Sequence, residues 1–68
     1  MDLYWDDAYQ IARELMKAHP DVDPLSLNFV TLHKWITALP DFADDPQAST
    51  EGRLEAIQME WYEECQAQ

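Results

Sequence analysis

The stretch DDAYQIARELMKAHP, residues 6–20, decides the fold class. Ala8, Ile11, Ala12, Leu15 and His19 recur at the spacing of one helical face, and Pro20 supplies the stop. Asp6 or Asp7 is expected to cap the N-terminus, where a carboxylate accepts free backbone N–H groups and opposes the positive end of the helix dipole. Trp5, just outside, is expected to fold back onto the core. Downstream, DVDPLSLNF (21–29) contains Asp23-Pro24, a turn signal, and predicts a short helical turn over 24–27 followed by an extended piece through Asn28 and Phe29. VTLHKWITALP (30–40) predicts a second helix, with Leu32, Trp35, Ile36 and Leu39 on one face. Thr31 or the preceding turn caps it, and Pro40 ends it. Ser49 is the expected N-cap of a third helix whose stripe is Leu54, Ile57, Trp61 and Cys65, fraying at the EECQAQ end. Three helices around one core describe an all-α, or nearly all-α, helix-turn-helix or winged-helix-like domain.

Composition bounds the rest. A chain of 68 residues buries only about 60% of its unfolded surface and builds one core, so residues 1–68 are expected to form one domain. Hydrophobic residues are 47% of the chain, too many for a disordered acidic tail. One cysteine, Cys65, cannot form an internal disulfide, and the start MDLYWDDAYQ lacks the basic-then-apolar order of an export signal; a reducing cytoplasm is the expected compartment. No apolar run approaches the roughly 20 residues that span a bilayer, so membrane association is not expected. With 14 Asp plus Glu against 4 Lys plus Arg, the formal charge is -10, which disfavours direct contact with nucleic acid. The single glycine leaves no phosphate-cradling loop, and no Ser or Cys has a His at a recognisable motif spacing, so an enzyme is not expected.

Candidate functional residues are therefore the carboxylates: Asp6 and Asp7, Asp21 and Asp23, and the densest group, Asp41, Asp44, Asp45, Glu51 and Glu55. Helix caps and a solvated face account for some of them. Oxygen-rich groups also suit hard or borderline cations such as Mg, Ca, Mn or ferrous iron, although no calcium-loop spacing occurs and any such site should be shallow and weak. His33 reads as a packed or capping imidazole and His19 as a helix C-terminal residue near the negative end of the dipole. Cys65 and the tryptophans read as structural.

HPDVDP, LHKWITALPDF, DDPQAS and LEAI followed by Trp61 occur in an order and spacing that resembles the IscX (YfhJ) family, small acidic proteins of bacterial iron-sulfur cluster assembly, from Leu3 to about Glu64. The resemblance implies a modified winged-helix fold that does not bind DNA, weak ferrous iron binding by surface carboxylates, and binding to the cysteine desulfurase IscS. It also implies modulation of that enzyme in competition or cooperation with bacterial frataxin, and a candidate role as iron donor. On this reading Asp41, Asp44, Asp45, Glu51 and Glu55 form the iron-holding face, the same residues with Asp6, Asp7, Asp21 and Asp23 meet the partner, and the chain acts as a monomer. An acidic nucleic-acid mimic or transcription-complex module on a winged-helix frame is the alternative.

Overall fold

In the computed structural model, residues 2–67 are described. Three helices, α1 (Ala8–Ala18), α2 (Phe29–Thr37) and α3 (Glu51–Gln66), are joined by connectors that each contain one 3-10 turn, Pro24–Ser26 and Pro46–Ala48. The domain is thus all-α, with no strand among the described residues. The extended piece of the first connector is Leu27 and Asn28, whose backbone ψ values are 139° and 164°, and one isolated parallel bridge joins Leu3 to Phe42.

The apolar stripes meet as their periods require. Ile11, Ala12 and Leu15 of α1, Leu32 and Ile36 of α2, and Leu54, Ile57 and Trp61 of α3 are buried together with Leu3 and Trp5. Packing between α1 and α3 is the main helix contact, and α2 packs against both. Trp35, Leu39 and Cys65 sit half-buried at the edge of the core. His19 ends α1 by donating its backbone N–H to the Leu15 carbonyl at 2.8 Å, while its ring stacks on Trp35 with centroids 3.7 Å apart.

The helix ends differ from the sequence expectation by one or two residues. Asn28 caps α2, accepting from the Thr31 N–H at 2.8 Å, so the helix begins at Phe29 rather than after it. Thr50, not Ser49, caps α3, accepting from the Arg53 N–H at 3.1 Å. Asp7 occupies the N-cap position of α1, yet its carboxylate accepts from the Tyr4 N–H at 3.0 Å and closes the preceding turn. That turn exists because Trp5 must reverse into the core. Of the tail expected to fray, Glu63–Gln66 belong to α3, Ala67 is its C-cap, and Gln68 lies outside the described residues. Gln58 donates from its amide to the carbonyl of Pro24 at 2.9 Å, fastening the first connector to the middle of α3.

Candidate partner and iron face

The second connector carries Asp41, Asp44 and Asp45, and it is fixed to the N-terminal segment by a set of bonds that sequence patterns do not reveal. The Leu3 N–H donates to the Asp41 carbonyl at 2.7 Å, and the Ala43 N–H to the Leu3 carbonyl at 2.9 Å. Trp5 donates its backbone N–H to Asp44 Oδ2 at 2.9 Å and its indole N–H to the Asp45 carbonyl at 2.7 Å. The Trp5 ring meets Phe42 edge-on at 4.9 Å and stacks on His33 at 5.7 Å. His33 in turn holds the Pro46 carbonyl at 2.7 Å through Nε2, which must carry the proton. His33 is therefore the packed imidazole that the sequence suggested.

Several candidate carboxylates consequently have local work. Asp44 accepts from Trp5 through one oxygen and from the Asp45 N–H at 2.8 Å through the other. Asp45 caps the turn that follows it, accepting from the Gln47 N–H at 2.9 Å, and Asp23 does the same for the Leu25 N–H at 3.0 Å. The two Asp-Pro pairs thus do identical jobs, and the turn signal read at Asp23-Pro24 occurs again, unread, at Asp45-Pro46. Asp6 pairs with Arg53 of α3 at 3.4 Å. Glu51 and Glu55 are exposed, and their side-chain carboxylates make no hydrogen bond or ion pair with another described residue.

The acidic residues do not form one patch. Arg53 joins Asp6 to the start of α3 and lies close enough to Asp44 to act on its charge, so Asp6, Asp44 and the first turns of α3 share one end of the molecule. Asp21 and Asp23 line a groove with Tyr62 and Cys65. Those residues lie eleven or more positions beyond Glu51, about 16 Å along the helix. Among the described residues, no group of three or more His, Cys, Asp or Glu side chains is already arranged to hold a metal ion.

The two N–H donors, Trp5 first and Asp45 second, hold the Asp44 carboxyl below its ordinary value; the Arg53 charge assists and partial desolvation opposes. A depressed folded-state value means that this carboxylate stabilises the fold fully above the unfolded value near 3.9, and that the contribution is lost as pH falls through the lower folded value. Asp44→Asn should therefore lower the urea midpoint at pH 7, and the gap to the wild type should narrow between about pH 5 and pH 3. A gap of constant size across that range would mean that the Asp44 charge is not what fastens the loop.

A model of the family described as iron-sulphur cluster assembly matches residues 3–66. The uncharacterized protein PA3808 of Pseudomonas aeruginosa is 52% identical over 64 residues, covering 94% of this chain and 97% of that protein. No described helix is long and apolar enough to cross a membrane.

Proposed function

The chain belongs to the IscX (YfhJ) family of iron-sulphur cluster assembly, and from that premise we propose that it is a non-enzymatic, acidic adaptor that binds the cysteine desulfurase IscS and modulates its activity. The observation that carries this reading is the pair Glu51 and Glu55, exposed and unpaired beside the fixed acidic connector in a chain of charge -10. Such a face is drawn to a basic surface and accelerates encounter with it. The non-enzymatic part is supported by the histidines: His33 is committed to a backbone carbonyl and His19 is stacked on Trp35, so neither stands beside a nucleophile as a general base. The adaptor acts as a cytoplasmic monomer and competes with bacterial frataxin for the same basic surface.

Ferrous iron is its cargo in this proposal, held weakly by oxygen ligands of Asp41, Asp44, Asp45, Glu51 and Glu55. Carboxylate oxygens suit the ion, and placing a dication between Glu51 and Glu55, four residues apart on α3, relieves their mutual repulsion. Because no ligand cluster is preassembled, water completes the coordination and affinity is low.

The test is a titration of desulfurase activity against this protein, with and without ferrous iron under anaerobic conditions. A saturable change in activity that iron alters is expected, with iron-dependent broadening of the Glu51 and Glu55 amide signals that fades toward pH 4. Unchanged activity at saturation would remove the adaptor role. Broadening centred on His33, on Cys65, or only around Asp21 and Asp23 would remove the iron assignment alone.

A further inference from the structure

An open groove runs between the first two turns of α2 and the start of α3, lined by Phe29, Val30, His33, Lys34, Ser49 and Leu54. A single exposed valine is ordinary on a protein surface. Val30 differs in its setting: it is 68% exposed, yet it stands on the wall of a groove whose other members include the half-buried Phe29 and the buried Leu54. His33 cannot swing out to fill this space, because its ring is stacked on Trp5 and its Nε2 is fixed on the Pro46 carbonyl. The groove is thus preformed and mostly apolar.

Its surroundings say what kind of surface covers it. On α3, Glu51 stands one turn before Leu54 and Glu55 directly follows it, both exposed and unpaired. Lys34 puts a cation on the α2 wall, so the flank of an occupying segment that faces α3 is the one set beside those two carboxylates, where an Arg or Lys gains and an Asp or Glu loses. A second copy of this chain is a poor occupant, since each copy carries a charge of -10 and would bring carboxylates to carboxylates.

We infer that this groove is the apolar anchor of the desulfurase interface, taking one aliphatic or aromatic side chain from a partner segment whose flanking Arg or Lys meets Glu51 and Glu55. The inference rests on the adaptor reading above and adds to it a contact that charge alone does not supply. Interfaces draw most of their affinity from a few well-packed side chains at their centre, whereas exposed charges at the rim chiefly set the association rate.

The two contributions separate experimentally through salt. Val30→Ser removes apolar surface from an exposed helical position, and Val30→Leu keeps it. With the purified desulfurase, Val30→Ser should bind about fivefold more weakly, mainly through faster dissociation, and by the same factor at low and at several-hundred-millimolar salt. Val30→Leu should stay within about twofold of the wild type. Wild-type affinity in Val30→Ser, while Glu55→Lys weakens binding, overturns the groove and leaves the acidic adaptor standing. A Val30→Ser loss that vanishes with salt overturns the groove as well, because apolar contact is not screened. If the wild-type protein fails to bind the desulfurase at all, both readings fall.

Discussion

Trp61→Ala should leave the domain unfolded or close to it at room temperature. The side chain, on α3, is fully buried in the core that all three helices share, and its ring lies 6.4 Å from that of Trp35. Truncating a buried Trp to Ala costs about 3 to 5 kcal/mol, because the lost transfer energy is joined by the cavity left behind. A domain of this size has roughly 5 to 10 kcal/mol to lose, toward the low end because so much of its surface remains exposed. Trp61 also carries a cost in place: its Nε1 is buried with no hydrogen-bond partner among the described residues. Leaving such a donor unpaired costs about 1 to 3 kcal/mol. Trp61→Phe gives up ring volume but removes that donor, so the two effects nearly cancel and its urea midpoint should lie close to that of the wild type. A wild-type midpoint in Trp61→Ala would mean that the ring is not in the core. A Trp61→Phe loss as large as that of the Ala variant would mean that Nε1 has a partner after all.

The aromatic core was legible because helical stripes repeat: Ile11 with Leu15, Leu32 with Ile36, and Leu54 with Ile57 and Trp61 announce their faces before any contact is known. Caps were legible only to within a residue or two. Ser49, Thr50 and Asn28 all carry a suitable oxygen, and which of them is used depends on the register that the core imposes on each helix. The clasp between Leu3, Trp5 and the acidic connector was not legible at all, since a single bridge has no period and the Asp44 bond to Trp5 spans 39 residues. For the same reason composition could not divide the carboxylates into those that hold backbone, such as Asp7, Asp23, Asp44 and Asp45, and those left open, such as Glu51 and Glu55. Nor could it place Asp21 and Asp23 beside the C-terminal half of α3, because that position follows from the first connector packing along Gln58 and Tyr62.

That division dictates where the electrostatic interface should be probed. Reversing Asp44 or Asp45 would disturb the Trp5 clasp and the turn at Pro46, so a lost partner could not be told from a moved loop. Glu51 and Glu55 offer a cleaner test. Glu55→Lys turns a like-charged i, i+4 pair into one of opposite charge, with the acid of Glu51 on the N-terminal side as the favourable orientation requires, and should raise helix stability by a few tenths of a kcal/mol. The double variant Glu51→Lys with Glu55→Lys also places a cation in the first turn of α3, against the dipole, and should cost about as much as the single variant gains. Neither effect approaches the stability of the fold. Desulfurase binding should nevertheless weaken at least tenfold in the double variant at low ionic strength, and the loss should shrink steeply as added salt shortens the screening length to about 8 Å and below. Asp21→Lys, in the groove beside Tyr62, which lies about 16 Å along α3 from Glu51 and about 10 Å from Glu55, should change affinity less than twofold. If Asp21→Lys weakens binding as much as the Glu51 and Glu55 reversals do, the partner responds to net charge rather than to this face. If the double variant binds as tightly as the wild type, with its helical circular dichroism intact, the acidic end of α3 is not the surface that the desulfurase meets.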